Sequence, residues 1–503
     1  MNVESLAERL GRRATRRGRE HYYPDASDAD WNDWRWQFRH RVTTLEELAR
    51  FLPIPASEWA VRSQVLSDFR MGITPYYLSL IDADDPNDPL LRQVVPLAEE
   101  NLYRAVGEED PLGEEKFSPV PGITHRYPDR VLMVLSNNCA IYCRYCTRKR
   151  TMYDGASADV EIDRMVDYIA RTPSVRDVVV SGGDPLNFAT AKLDSILSKL
   201  RAIPHLEIIR IGTRVPVALP QRIDDELCEM LARHHPLWIN VHYNHPNELT
   251  PDAARACDKL SRAGVPLNNQ AVLLKGVNDD VATIKALCHG LMKMRVRPYY
   301  LYQCDPVRGA EHFRTPISKG IEIIEGLRGH TSGLAIPTYV IDAPGGGGKI
   351  PVQPDYLLHY DREKGRALLR NYQGKLYEYL EPRAANASPN DVLVPTAPPA
   401  ASGPVALAGS NKKRVEAVSV GAPSSNGNGH AQGNGATAGN GAMATNGAPT
   451  GNGPTTGNGQ AASNGSGASN GKNGAAPVVG KSKWVHRGST RAERAARTKK
   501  RDK

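Results

Sequence analysis

Short apolar runs and amphipathic segments alternate along the middle of this 503-residue chain, and this alternation limits its possible folds most strongly. The apolar runs predict β-strands at residues 131–135, 177–180, 207–211, 238–242, 265–272, 297–302 and 336–341. The segments between them predict helices at residues 163–172, 193–203, 224–234, 251–263, 281–294 and 318–330. Such alternation is typical of parallel β/α units. Polar motifs follow several successive strands, which favours a partial or full barrel over an open sheet, because barrel active sites lie at the carboxyl ends of the strands.

Composition divides the chain into four regions. Residues 1–115 predict a mostly helical region, residues 116–350 the barrel, and residues 351–383 a C-terminal extension of the core. Residues 384–503 consist mainly of Gly, Asn, Ala, Ser, Thr and Pro, with Asn-Gly repeated every six residues over much of their length. This composition buries too little apolar surface to offset the entropy lost on folding. We therefore expect residues 384–503 to form a disordered tail.

The positive charge of the chain lies in this tail. The tail holds 14 Lys and Arg against 4 Asp and Glu, a net charge of +10, whereas the whole chain carries +9. The remainder is thus close to neutral, and its charge gives no reason to expect a nucleic-acid-binding enzyme. The basic end, residues 481–503, could bind an acidic partner or nucleic acid, or it could have no specific partner. We favour the absence of a specific partner.

The N-terminal residues and the length of the apolar runs indicate where in the cell the protein is expected. No apolar stretch follows the basic N-terminal residues, so no signal peptide is expected. No run of about 18 apolar residues occurs, so no transmembrane helix is expected. We expect a cytoplasmic protein, in which thiols stay reduced.

Three of the seven cysteines are clustered, at Cys139, Cys143 and Cys146. Closed zinc and iron–sulfur sites use four ligands, and the nearest upstream histidine lies in a different segment. Three thiolates on a [4Fe–4S] cluster leave one iron open for a small molecule, and we favour this interpretation over structural zinc or a disulfide. The spacing C-x3-C-x2-C, with Tyr145 before the last cysteine, is also the signature of the radical S-adenosylmethionine (SAM) enzymes.

Two glycine-rich motifs follow predicted strands. Gly182, Gly183 and Asp184 follow the strand at 177–180; beside a cluster motif they suit a SAM site, although an ordinary turn is the alternative. Lys349 follows four glycines at 345–348. Ile350 stands where a phosphate-binding P-loop requires Ser or Thr, which excludes that motif. A lysine on a pliant segment suits a Schiff base, for which pyridoxal phosphate (PLP) is the expected aldehyde.

With these motifs in place, the chain resembles the lysine 2,3-aminomutase family of radical SAM enzymes, which also bind PLP. The resemblance covers residues 30–383 and rests on segments at 118–130, 139–150, 181–186, 211–216, 242–247, 270–278, 297–300, 312–316 and 342–349. It implies an α/β fold with a partial (β/α)6-type radical SAM barrel, and an isomerase that moves an amino group. The implied partners are an amino-acid substrate, an external electron donor and further copies of the chain in a homo-oligomer.

The resemblance also implies cofactor roles for individual residues. Cys139, Cys143 and Cys146 would hold the [4Fe–4S] cluster, Lys349 would bind PLP covalently, and Arg126 would lie near the PLP phosphate. The residues implied to line the SAM site are Gly182, Gly183, Asp184, His242 and Gln270.

Substrate residues are implied in the same way. Arg148 would bind the α-carboxylate, and Asp305 and Asp342 occupy the family positions for the far amino group of lysine. Two carboxylates facing one ammonium give hydrogen bonds worth roughly 1.5–3 kcal/mol each, whereas a glutamate side chain would be repelled. The sequence therefore predicts conversion of L-lysine to L-β-lysine. Arginine or another amino acid is the alternative substrate. A non-catalytic binding or RNA-associated protein that acts through its basic tail is the alternative of another class.

One family feature is missing. Several relatives bind a structural zinc between subunits through cysteines after the barrel and one earlier cysteine. Here no cysteine follows Cys304, and Asp280 stands at the earlier position. We expect no structural zinc.

Overall fold

A nine-stranded sheet dominates the computed structural model, which describes residues 18–152 and 161–382. The strands follow one another in chain order from β1 to β9. Their bounds are β1 (Ile123–Tyr127), β2 (Arg130–Val134), β3 (Asp177–Ser181), β4 (Ile208–Thr213), β5 (Leu237–Val241), β6 (Leu267–Leu273), β7 (Val296–Gln303), β8 (Thr338–Ala343) and β9 (Gly348–Pro351). Strands β2 to β8 are parallel, and β1 and β9 pair antiparallel at the two ends. The predicted disorder of residues 384–503 lies outside the described residues, as do residues 1–17.

Short helices make up most of the N-terminal part. They are α1 (Gly18–Tyr22), α2 (Asp28–Asn32), α3 (Trp34–Arg39), α4 (Leu45–Leu48), α5 (Trp59–Asp68), α6 (Pro75–Leu78), α7 (Leu91–Val94) and α8 (Ala98–Leu102). Side-chain oxygens of Ser27, Asp33, Thr44 and Thr74 accept backbone N–H groups at the starts of α2, α3, α4 and α6. Helices this short are not stable alone, so packing on the barrel must hold them.

Longer helices connect the parallel strands. They are α9 (Ile162–Ala170), α10 (Thr190–Arg201), α12 (Asp225–Ala232), α13 (Pro251–Arg262), α14 (Val281–Lys293) and α15 (Ile317–Leu327), with the short α11 (Val215–Ala218) after β4. Single 3₁₀ turns lie at Ala56–Glu58, Glu115–Phe117, Lys149–Met152, Pro185–Asn187, Pro220–Arg222, Pro246–Glu248, Glu311–Phe313, Gly333–Ala335 and Pro344–Gly346. Six β/α units followed by a seventh parallel strand form the partial barrel, which confirms the predicted fold class.

Alternation along the strands separates the core from the interior of the barrel. Val178 and Val180 on β3, and Ile209 and Ile211 on β4, are fully buried and belong to the main hydrophobic core. Residues between them are half-buried, as the two-residue period of a strand requires when only one face packs on helices. The interior of the barrel therefore carries polar side chains, such as Arg210, whose Nε donates to Asp177 Oδ1 at 2.9 Å.

The region predicted as a C-terminal extension contains a second sheet. Strands β10 (Leu357–Asp361), β11 (Arg366–Arg370) and β12 (Leu376–Leu380) form an antiparallel three-stranded sheet. Most of its side chains are exposed or half-buried. These strands therefore do not need the buried apolar runs by which the barrel strands are recognised in the sequence.

Asp280, at the position discussed for a zinc ligand, has a structural role. Its side chain accepts the backbone N–H of Thr283 at 2.8 Å and caps the start of α14. Burial would raise the pKa of Asp280, but hydrogen bonds from Thr283 outweigh it and hold the pKa below its usual value.

Candidate active site

The three clustered cysteines lie in the loop that follows the carboxyl end of β2. N-terminal segments hold the backbone of this loop. The N–H of Tyr142 donates to Gly72 O at 3.1 Å, and the N–H of Arg144 donates to Gln93 O at 2.9 Å. The side chain of Arg41 also donates to Cys139 O. The cysteine loop is therefore positioned from outside the barrel as well as by β2.

A buried ion pair anchors the middle of the loop. Arg144 is fully buried, and its Nε and Nη2 donate to the two carboxylate oxygens of Glu100, each at 2.8 Å. Lys149 Nζ lies 3.4 Å from Glu100 Oε2. Burial alone would raise the pKa of Glu100, but Arg144 and Lys149 outweigh it and hold that pKa below its usual value. Glu100 therefore stays ionised and ties the loop to α8.

The thiols of the loop lie near enough to affect one another. Burial raises the pKa of Cys139 well above its usual value, and the neighbouring Asp184, Cys146 and Cys143 raise it further. Burial also raises the pKa of Cys146. Within residues 18–152 and 161–382, no three His, Cys, Asp or Glu side chains are grouped to hold a single metal ion. A four-iron cluster makes a different demand, because its thiolates bind different iron atoms.

The glycines after β3 pack directly on the cysteine loop. Gly182 has a φ of 132°, and a Cβ there would lie 2.6 Å from Ser136 O. A Cβ on Gly183 would overlap the backbone of Asn138, the residue before Cys139. Both positions require glycine because of this close approach of two backbones.

The Asp184 carboxylate is engaged by its own chain. It accepts hydrogen bonds from Thr213 Oγ1 at 2.7 and 2.9 Å, from Arg214 N at 2.7 Å and from Leu186 N at 3.1 Å. Burial raises its pKa to about 6, although these hydrogen bonds lower it. Asp184 thus joins the ends of β3 and β4, and its contact with SAM stays a prediction.

A hairpin brings Lys349 back onto β8. Asp342 and Lys349 are direct partners in the antiparallel β8–β9 pair. Gly345 and Gly346, with φ of 67° and 88°, form the turn between the two strands. Lys349 Nζ donates to Asp342 Oδ2 at 2.8 Å and lies 5.2 Å from the centre of the Tyr302 ring. The glycines predicted to form a pliant arm therefore form a defined turn.

The two predicted substrate aspartates are brought together beside this lysine. Arg126 Nη2 donates to Asp342 Oδ1 at 3.2 Å, and Arg126 Nε is buried without a hydrogen-bond partner among the described residues. Asp305 follows β7. Burial raises the pKa of Asp305 to about 7, the negative charge of Asp342 raises it further, and Lys349 opposes both.

Arg148, the predicted carboxylate ligand, is engaged by an acidic residue that the sequence did not single out. Its Nε and Nη2 donate to Glu114 at 3.1 and 2.7 Å. Two of the five N–H groups of this guanidinium are therefore used within the chain. The pKa of Asp305 is affected most by burial, then by Asp342 and by the opposing Lys349. Glu114 has a smaller effect and raises it further, so Glu114 belongs to the same group of charges.

The remaining two predicted SAM residues lie on neighbouring strands. His242 follows β5 directly, and its Nε2 forms a 2.9 Å hydrogen bond with the hydroxyl of Tyr145. Burial and the charge of Arg214 lower the pKa of His242 to about 3, so the ring is neutral at pH 7. Gln270 is half-buried on β6, at a break in the register with β7. Their roles toward SAM stay predictions.

Sequence reasoning missed Glu114 and Arg214. Glu114 lies 34 residues before its partner, in a loop without a local pattern, so no sequence signal marks it. Arg214 directly follows β4, and a polar residue at a strand end is the signal that would have found it. Its Nη1 donates to Cys143 Sγ at 2.8 Å.

Comparison with known proteins shows the family. Residues 133–287 match the radical SAM superfamily, and residues 324–403 match the model described as lysine-2,3-aminomutase. The chain is 56% identical over 364 residues to the L-lysine 2,3-aminomutase of Clostridium subterminale, which covers 72% of this chain and 86% of that protein. The chain belongs to the lysine 2,3-aminomutase family.

Further relatives show the breadth of this family. The L-lysine 2,3-aminomutase of Bacillus subtilis is 50% identical, with 73% of this chain and 78% of that protein covered. The glutamate 2,3-aminomutase of Clostridioides difficile is 44% identical, with 70% and 83% covered. Lysine 2,3-aminomutase family members are radical SAM isomerases, so this chain is an enzyme and the non-catalytic alternative is rejected.

The family uses a [4Fe–4S] cluster, SAM and PLP, and the residues present fit these groups. Three cysteines with free thiols share one loop, and the paired glycines leave no side chain between that loop and the end of β3. The unpartnered Nε of Arg126 suits a phosphate. Lys349 supplies the amine that an aldehyde cofactor requires, beside the Tyr302 ring.

Gly183→Ala tests the close packing of the two loops. The added methyl group overlaps the Asn138 backbone, so we expect the cysteine loop to shift, reconstituted iron per chain to fall, and unfolding free energy to drop by about 1–3 kcal/mol. Iron analysis, cluster absorbance and urea denaturation measure these effects. Gly333→Ala is the matched control, because a Cβ there meets nothing within 4 Å. Wild-type iron content in Gly183→Ala would contradict the packing argument.

Proposed function

We propose that this chain is an L-lysine 2,3-aminomutase, which moves the α-amino group of L-lysine to C3 and forms L-β-lysine. The observation that carries the proposal is the acidic pair Asp305 and Asp342 beside Lys349. Relatives at 50–56% identity are named L-lysine 2,3-aminomutases, whereas the glutamate 2,3-aminomutase is 44% identical. An acidic pair attracts a side-chain ammonium and repels a side-chain carboxylate.

The chain's own Lys349 places an ammonium at this pair. Lys349 Nζ forms an ion pair with Asp342, which is buried, and its positive charge opposes the rise that burial and Asp342 cause in the pKa of Asp305. Lys349 would hold PLP through this same amine. The ε-ammonium of a bound lysine would then supply a positive charge to Asp305 and Asp342, in addition to Arg126, which pairs with Asp342.

Arg148 binds the other end of the substrate in this proposal. Glu114 holds two N–H groups of the guanidinium and fixes its plane, and the α-carboxylate of lysine binds to the remaining N–H groups. The side chain is partly buried, which strengthens a charge-assisted hydrogen bond. Substrate is thus held at both ends, as correct positioning of the reacting carbons requires.

The cofactors are assigned to the residues predicted for them. Cys139, Cys143 and Cys146 hold the cluster, Lys349 and Arg126 hold PLP, and the SAM site is lined by Gly182, Gly183, Asp184, His242 and Gln270. When bound, these groups supply the electron and the radical chemistry that removes and returns hydrogen and lets the nitrogen migrate. The chain positions the substrate.

An anaerobic assay of the reconstituted protein with lysine, arginine and glutamate tests the function. We expect β-lysine from lysine, and at most weak turnover of the other two. Lys349→Ala should be inactive and should lose the visible absorbance of bound PLP. Turnover of arginine without turnover of lysine would overturn the substrate assignment, and retained PLP absorbance in Lys349→Ala would overturn the role of this lysine.

The acidic pair predicts a pH dependence. Asp305 has a pKa raised to about 7 by burial and by Asp342, so it loses its charge as the pH falls through 7 and attracts the ε-ammonium less. We expect kcat/KM for lysine to fall on the acidic side of about pH 7, because this ratio reports groups of the free enzyme. Asp305→Asn should lower kcat/KM about tenfold to a hundredfold, the equivalent of a lost charged hydrogen bond.

The pH profile of Asp305→Asn decides the assignment. The variant should lose the acidic limb that belongs to Asp305. Asp163→Asn is the control, because Asp163 pairs with Lys199 at the surface on α9. An Asp305→Asn profile with the wild-type acidic limb would show that another group titrates.

A reduced compartment suits this enzyme. No helix of the described part of the chain is both long and apolar enough to cross a membrane. All seven cysteines have free thiols, and a cluster with an open iron needs reducing conditions. We place the protein in the cytoplasm, where an external donor reduces the cluster; fractionation that finds it elsewhere would refute this location.

We also propose that the chain forms a homo-oligomer through β10–β12. Register places Leu357, Tyr360, Tyr377 and Tyr379 on one face of this sheet, and all four side chains are exposed. An exposed apolar face of this kind is typical of an interaction surface. Light scattering should give a mass above the 55.0 kDa of one chain, and Tyr377→Ser with Tyr379→Ser should lower it; a wild-type monomer would disprove the proposal.

A further inference from the structure

Arg214 contacts a predicted cluster ligand directly. It follows β4 and is 8% exposed, and its Nη1 donates to Cys143 Sγ at 2.8 Å. No role toward SAM, PLP or substrate has been assigned to it above. Burying a guanidinium costs free energy unless its charge is compensated. The other contacts of Arg214 therefore show how its charge is compensated.

A fully buried carboxylate, that of Glu248, compensates this charge. Arg214 Nη2 donates to Glu248 Oε1 at 2.8 Å and to Gln93 Oε1 at 2.5 Å. Glu248 also accepts the hydroxyl of Tyr77 at 2.9 Å and the backbone N–H of Asn244 at 2.6 Å. The guanidinium therefore contacts both the carboxylate and the sulfur, and hydrogen bonds from Nη1 and Nη2 fix its orientation.

The same network reaches the aromatic residue of the cysteine motif. Asn244 Nδ2 donates to Gln93 Oε1 at 3.0 Å and to the Tyr145 hydroxyl at 2.6 Å. Tyr145 lies one residue before Cys146, and it also bonds His242. Two of the three cysteines are therefore supported by one buried set of polar side chains that begins in the N-terminal helices.

We propose that Arg214 is a positioning residue that orients Cys143 and raises the reduction potential of the cluster. Reduction adds one negative charge to the cluster, and a buried cation beside a ligand sulfur stabilises the reduced form more than the oxidised form. A hydrogen bond to the thiolate sulfur withdraws electron density in the same sense, and both effects are known determinants of cluster potential. Glu248 keeps the cation in place through its hydrogen bond with Nη2.

A redox titration of the full-length reconstituted protein, followed by electron paramagnetic resonance, tests this role. Arg214→Gln should shift the midpoint potential to more negative values, with the ratio of reduced to oxidised cluster at a fixed potential falling about tenfold, or about 59 mV for one electron. Arg210→Gln is the matched control, because Arg210 lies on the same strand and pairs with Asp177 instead of a cysteine. The control should keep the wild-type potential.

A second variant, Arg214→Lys, tests the proposal if Arg214→Gln does not retain its cluster. Arg214→Lys keeps the charge, but one ammonium cannot reproduce the planar contacts to Cys143, Gln93 and Glu248. It should show a smaller shift in the same direction. A wild-type potential in Arg214→Lys, or in an Arg214→Gln protein with full iron content, overturns the proposal. The measurement uses no substrate, so its outcome is independent of whether lysine is the amino acid that reacts.

Discussion

The buried ion pair between Arg144 and Glu100 supports most of the site. Arg144 belongs to the cysteine loop, and Glu100 belongs to α8 in the N-terminal part, which contributes no reacting group. Removing one member of a buried pair costs about 3–5 kcal/mol, because the other charge is left in a medium that cannot solvate it. Short helices α1 to α8 gain their stability by docking, and the loop gains its position from the same contact. The N-terminal part is therefore needed for the geometry of the cysteine loop.

The order of the strands determines which charged side chains are neighbours at the carboxyl end of the barrel. Asp305 follows β7, Asp342 lies on β8 and Lys349 on β9, so acid and amine meet at adjacent strands. Arg148 comes from the loop after β2, on the other side of the sheet order. A substrate with a positive end and a negative end matches this separation. The barrel supplies it because side chains from distant strands converge at the carboxyl ends of the strands.

The parallel strands of the barrel were predictable, and the added strands were not. All seven predicted strands overlap β2 to β8, because each carries the buried apolar run that a strand covered by helices requires. Strand β1 (Ile123–Tyr127) has one fully buried residue, and β10 has none, so neither shows that pattern. Within the site, the cysteines and Lys349 stand in recognisable local motifs. The pairing of Arg148 with Glu114, and the contact of Arg214 with Cys143, depend on chain folding over tens of residues, which no local motif encodes.

Antiparallel strands close the sheet order at both ends, and the contacts between those ends are made by side chains. The backbone N–H of Lys349 on β9 donates to the Tyr127 hydroxyl on β1 at 3.0 Å, and Arg126 on β1 pairs with Asp342 on β8 at 3.2 Å. The seam of the barrel wall is thus built from residues around Lys349, the proposed PLP lysine. Any widening of the wall at this seam pulls Arg126 away from Asp342 and Tyr127 away from Lys349. The contacts that close the barrel are therefore the same contacts that hold the surroundings of Lys349. A ligand bound across the seam would stabilise both.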